Sequence, residues 1–163
     1  MQRAGYADWA QKLADKMSQD SPSDTLLQAY WLPTIRAAVE LDRGHGERAI
    51  ELLNEASAYD LADAGPGQVG AMYPVYVRGL AYLKLGKSSQ AAEQFQNILD
   101  HYGLVLNFPL GALAHLQLAR ARKLGGDTVG ARTAYQDFLA LWKDADPDIP
   151  ILKEAKAEYA KLQ

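Results

Sequence analysis

The chain has 163 residues, 48% of them hydrophobic, with 17 basic and 20 acidic side chains, a formal charge of -3 and no cysteine. That length and apolar content suit one folded domain with a real core and exclude a disordered chain, while the lack of cysteine excludes disulfides and thiolate metal sites. No basic block tracks a phosphate backbone, no apolar run reaches the roughly 18 residues of a membrane span, and the charged opening "MQRAGYADWAQKLADKM" is no signal peptide; nucleic-acid and membrane partners are therefore not expected, and the cytoplasm is.

Taken in chain order, apolar residues at helical spacing predict a first helix over about 2–18, with Tyr6, Trp9, Ala10, Leu13 and Met17 on its apolar face. With no partner helix before it, it reads as the second half of an incomplete leading repeat over 1–20, as in a fragment of something longer. Helical hairpins follow over about 24–57, 70–101 and 109–143. A last helix, about 149–162, sets Leu152, Ala155, Tyr159 and Leu162 against Lys153, Glu154, Lys156, Glu158 and Lys161, the half-polar pattern of a solvating cap. Glycine and proline punctuate these segments at intervals, and strand-like alternation is scarce. The expected fold class is all-α: one repeat domain over 1–163, about 8 helices in about 3.5 hairpins.

The hairpins repeat. "RAAVELDRGHGERAIELL" from Arg36, "RGLAYLKLGKSSQAAEQF" from Arg78 and "LARARKLGGDTVGARTAY" from Leu118 share a small residue at the second place (Ala37, Gly79, Ala119). A glycine follows (Gly44, Gly86, Gly126), then an alanine (Ala49, Ala91, Ala131), then a large apolar residue four further on (Leu53, Phe95, Tyr135). Ala49 and Ala91 are 42 residues apart, Ala91 and Ala131 40. Physically, the small residue admits the second helix, the glycine ends the first helix in a left-handed conformation, and the alanine with its large neighbour packs back. A single hairpin cannot bury both faces, so such units stack.

Several local matches to chemical motifs dissolve in this frame. "LGKSS" suggests a phosphate loop, but Ala81 stands where that loop needs glycine, and no strand precedes it. Ser88 or Ser89 is expected to cap a helix there. "GPGQVG", Gly65 to Gly70, fits a dinucleotide fingerprint in letters alone, since "AYDLADA" before it is no strand. "DADPD" lacks the turn glycine and terminal glutamate of a calcium loop, with Ile149 and Ala155 in those places; Asp148 is expected to cap the last helix. His45, His101 and His115 have no metal-ligand spacing and no nucleophile beside them. Neither an enzymatic activity nor a cofactor is expected; a nucleotide-binding enzyme would rest on the Gly-Lys-Ser-Ser match alone.

These repeat positions resemble the tetratricopeptide repeat family, a right-handed α-solenoid. The likeness lies in the small residue, the turn glycine, the alanine, Tyr82 in the second copy and the aromatics Phe95 and Tyr135. Pro33, Val75 and His115 stand where that family carries tryptophan, and the unit of about forty residues leaves helical repeats of the HEAT type as an alternative. "YWLPTIRAA", "LNFPLGALAHLQLAR" and "AYQDFLALWKDADPDIPILKEAKAEY" are similar to the repeat region behind the catalytic domain of bacterial eukaryotic-like serine/threonine protein kinases, although no kinase motif is present.

The resemblance implies a noncatalytic interaction module, a regulatory or scaffolding part of a signalling protein, holding a peptide or protein segment in a concave groove. Its groove positions fall on Trp31, Thr34, Ala38 and Leu41, then Tyr73, Tyr76, Leu80 and Leu83, then Leu113, Leu116, Arg120 and Lys123. An aromatic end and a basic end imply a ligand with an apolar anchor and an acidic group. For Trp31 and Tyr76, packing within the repeat is an equal alternative. The unpaired edge of the leading repeat raises a second expectation, self-association into a homo-oligomer.

Overall fold

A computed structural model describes residues 2–62, 71–106 and 108–162, the side chains of residues 2–5 excepted. Among these residues every regular element is helical: α1 (Gln2–Asp20), α2 (Leu32–Asp42), α3 (Gly46–Leu53), α4 (Tyr73–Lys84), α5 (Ser88–Asp100), α6 (Tyr102–Val105), α7 (Pro109–Leu124), α8 (Thr128–Leu141) and α9 (Pro150–Ala160). A π-helical turn, Leu27–Trp31, leads into α2, and a 3-10 turn, Glu55–Tyr59, follows α3.

The three repeat glycines each end a first helix with positive φ: +91° at Gly44, +73° at Gly86 and +84° at Gly126. Any other residue there would hold its Cβ against the following carbonyl, so the reversals between α2 and α3, α4 and α5, and α7 and α8 depend on glycine. The small residue ahead of each turn has a matching role. A Cβ on Gly79 would lie 2.6 Å from Cζ of Phe95, so α4 and α5 cross at the distance that this missing methyl allows.

Packing proceeds from neighbour to neighbour. Each first helix lies in the angle between its own second helix and the next first helix: α2 touches α3 and α4, which touch each other, and α4, α5 and α7 repeat the triangle. Ala37, Ala49, Leu53, Val77 and Ala81 fill the first of these junctions. A larger core, including Phe95, Ile98, Leu116, Tyr135, Phe138 and Leu152, joins α4 through α9. At the other end Ala14, Leu27 and Leu32 hold α1 and the π-turn on α2.

The face of α1 differs in part from the expectation, with Met17 packed on the core as expected. Ala7 and Ala14, two turns apart, are buried against α2, while Tyr6, Trp9 and Leu13 stand out of the core at 72%, 64% and 41% exposure. Alanines let the two backbones approach, and the bulky residues turn away from so close a contact. Ion pairs from Asp15 to Arg36, at 3.1 Å, and from Asp8 to Arg43, at 2.9 Å, also tie α1 to the α2 hairpin.

Two expected caps are not made. Lys87, not Ser88 or Ser89, holds the N-cap position of α5, and its Nζ donates to Glu47 of α3 at 3.0 Å. Ile149 holds the N-cap of α9, while the Asp148 carboxylate accepts from Lys153 at 2.7 Å. Pro150 at the first helical position already lacks the N–H that a cap would satisfy. Asp127 does cap, accepting from the Gly130 N–H at 2.8 Å ahead of α8.

Candidate functional site

The first helices α2, α4 and α7 touch in succession, and the expected groove residues lie on them and on the π-turn ahead of α2. Those residues divide by exposure. Tyr73 and Lys123 are open to solvent, and Trp31, Leu41, Tyr76, Leu80, Leu113 and Arg120 are half-buried. Thr34 and Leu116 lie inside: the Thr34 hydroxyl donates to the Tyr30 carbonyl at 2.6 Å, and Leu116 is fully enclosed. Ala38, small and exposed, leaves room above α2, and Leu83 is half-buried.

The half-buried aromatics have partners. Trp31 stands edge-on to Tyr30, centroids 4.9 Å apart and planes at 90°. Tyr76 packs edge-on against Phe95 at 5.7 Å, and its hydroxyl accepts a long 3.4 Å bond from the Gln117 side chain of α7. Burial raises the Tyr76 hydroxyl above the usual tyrosine range; the Gln117 donor and the nearby Arg120 charge offset only part of that. Both rings therefore contribute to packing through one side and reach solvent with the other.

The basic end is more constrained than residue type alone suggests. Arg120 donates from Nε to Glu158 Oε2 at 2.9 Å and from Nη2 to Oε1 at 2.8 Å, and reaches Glu154 at 3.4 Å. The buried Tyr135 hydroxyl donates to Glu158 Oε2 at 2.6 Å, the oxygen that also accepts from Arg120 Nε. Burial works to raise the Glu158 carboxyl, but Arg120 and Tyr135 outweigh it and hold the group below the ordinary glutamate range. The same burial and the adjacent carboxylate push the Tyr135 hydroxyl far up. Helix α9 thus presents a carboxylate to the arginine expected to meet a ligand, leaving Lys123 as the exposed cation beside it.

Sequence reasoning did not find this clamp. Glu158 sits among lysines and glutamates on the polar side of α9, 38 residues from Arg120, and no local spacing links the two. The Arg78 cluster was missed in the same way: one guanidinium donates to Asp60 at 2.7 Å, to the Leu53 carbonyl at 3.2 Å and to Gln94 at 3.1 Å.

The phosphate-loop match has no phosphate geometry. Gly86 is the helix-ending turn and Lys87 is paired with Glu47. The Gly65 to Gly70 match lies outside the described residues. Among the described residues no group of three or more acidic or histidine side chains could hold a metal, and no helix is long and apolar enough to cross a membrane. His101 stands at the end of α5 with its ring Nδ1 2.9 Å from the Asn97 carbonyl.

Against known proteins, no family model and no solved structure matches the chain. Over 117 residues it is 34% identical to the tetratricopeptide repeat and J domain-containing co-chaperone DNJ1 of Fusarium oxysporum f. sp. lycopersici, a stretch covering 72% of this chain and 19% of that protein. The chain spans about a fifth of its relative's length, and the likeness supports a tetratricopeptide relationship.

Proposed function

We propose that the chain is a noncatalytic interaction module, a right-handed superhelix of about 3.5 hairpins that holds a peptide or protein segment along the inner face of α2, α4 and α7. The observation that supports this reading is the unbroken succession of first helices α2, α4 and α7, which carry or adjoin Trp31, Leu41, Tyr73, Tyr76, Leu80, Leu113 and Lys123, each at least partly exposed. The similar fungal protein is a co-chaperone with tetratricopeptide repeats, in keeping with a module whose ligands are other proteins. Partly exposed aromatic surface at one end and a cation at the other fit a segment with an apolar anchor and an acidic group.

Selection of peptides displayed at random against the full chain tests this. Bound sequences should share an acidic residue near an aromatic or aliphatic one. Tyr73→Ala combined with Lys123→Glu should weaken them about tenfold or more and leave the helical circular dichroism unchanged. Selected sequences without a common pattern, or affinity untouched by the double variant, would overturn the assignment.

The finer context belongs to the same proposal: a cytoplasmic regulatory or scaffolding part of a larger signalling protein, of the kind attached to bacterial eukaryotic-like kinases. A kinase catalytic domain in the same reading frame would support it; a different neighbouring domain would replace it.

A further inference from the structure

Four residues ahead of the small residue of each repeat, two hairpins carry an apolar group and the third a histidine. Pro33 and Val75 are buried there, and His115 takes the same place in α7. Its ring is half-buried, with Nδ1 shut off from solvent and without a hydrogen bond. Across the seam, the half-exposed carboxylate of Asp137 on α8 brings its Oδ2 to 3.7 Å from that nitrogen. This is about 1 Å beyond a charge-assisted bond. Asp137 is the charge that acts on the ring. Charged and titratable groups on the elements packed around α7 are engaged elsewhere: Arg78 of α4 by Asp60, Asp100 of α5 by Gln96, and Tyr135 of α8 by Glu158. On α7 itself Arg120 is held by Glu158 and Arg122 by Gln96, while Tyr102 of α6 lies over Gly111, one turn before the histidine.

We propose that His115 is an acid-sensitive switch between α7 and α8, neutral and unpaired in the seam and, once protonated, drawn onto Asp137. An unbonded acceptor in a dry seam costs less than an unbonded cation, so the neutral ring carries its proton on Nε2 and leaves Nδ1 bare. Protonation puts a donor and a charge at that atom, and the Asp137 carboxylate is the acceptor within reach as the ring turns toward the surface. The ring then gives up part of the place that Pro33 and Val75 fill in the other hairpins. Burial holds the histidine below its ordinary value, and Asp137 offsets only part of that. A group so depressed binds fewer protons in the folded chain than in the unfolded one. Its contribution to stability is therefore whole above the unfolded value and is lost as pH falls from there to the folded value. Helix α7 also bears Leu113, Arg120 and Lys123 of the face proposed above, but the switch holds whether or not that face binds a ligand.

NMR of the histidine rings in the full chain, from about pH 8 to about pH 5, reads the switch, with His45 and His101 assigned by substitution. His115 should titrate below the value of an open histidine, about 6.5, and Asp137→Asn should lower it further. Contacts of the His115 ring to α8 should change with the same midpoint. The urea midpoint should fall as pH drops from about 6.5 in wild type, and less so in His115→Gln, which cannot take up the proton. A His115 titration at or above the open value, one that Asp137→Asn leaves unmoved, or ring contacts unchanged through it would overturn the proposal. So would a urea midpoint that falls equally in wild type and His115→Gln. The titration and ring contacts of the wild-type chain keep the test whole even where a variant does not fold.

Discussion

A Cβ on Gly79 would stand 2.6 Å from Cζ and 2.7 Å from Cε1 of Phe95, whose ring is fully buried and flanked by Tyr76. Alanine at this point gains about 1 kcal/mol of helix propensity and loses about 1–3 kcal/mol to overpacking, so the packing term decides the sign. Gly79→Ala should lower the urea midpoint, and Phe95→Leu in that background should recover part of the loss. An unaltered midpoint would show that the helices can separate freely. This pair was legible in the sequence because both members recur at fixed places in the unit. Thr34 and Leu116 were placed on the groove by the same arithmetic, but whether a side chain at such a place is open depends on residues from neighbouring helices.

At the scale of elements, α9 shows how far polar pattern can mislead. Its Leu152 and Ala155 are buried as the apolar spacing predicts, while Glu158 turns inward to meet Arg120 and Tyr135. Because that carboxyl is held below the ordinary glutamate value, its contribution is present above the unfolded value and is lost as pH falls through the folded one. Amide exchange of α9 should therefore quicken below about pH 4.5 ahead of α7 and α8. Glu158→Gln should loosen α9 already at neutral pH, by about 1–3 kcal/mol, and flatten that acid response. Equal exchange in both proteins at all pH values would remove the clamp from the account.

Helix α1 carries the corresponding lesson for apolar pattern. Periodicity made the helix itself legible, but alanines and bulky residues share its circumference, and only contact with α2 decides which stripe is buried. Ala14→Leu should expose α1 to faster exchange at a cost of about 1–3 kcal/mol, whereas Leu13→Ser should leave it bound. The reverse result would mean that the bulky stripe, not the alanine one, faces α2.

Across the whole molecule, stability is distributed unevenly along the chain. The large core joins α4 through α9, the junction of α2 with α3 and α4 is smaller, and α1 rests on a few residues around Ala14, Leu27 and Leu32. Native-state hydrogen exchange should rise in protection from α1 through α2 and α3 to α7 and α8; uniform protection would instead mark one cooperative unit. The succession of hairpins could be seen in the sequence because each turn is encoded within a few residues. The long side chains that tie successive hairpins together could not, because their partners are fixed only once the hairpins have met.

Arg78 is one such tie. By gripping Asp60 after the first hairpin, the carbonyl of Leu53 and the side chain of Gln94 at once, it immobilises the hinge between the first and second hairpins. The next hinge is crossed by the 3.3 Å bond of Arg122 to Gln96 and the 3.4 Å bond of Gln117 to the Tyr76 hydroxyl, inside the core that runs from α4 through α9. Spin labels spanning the two hinges should accordingly report a narrow separation across both, and Arg78→Ala should broaden the first alone. Whatever lies against this protein would then be met by a curvature fixed in advance, since both seams between successive hairpins are held before any guest arrives.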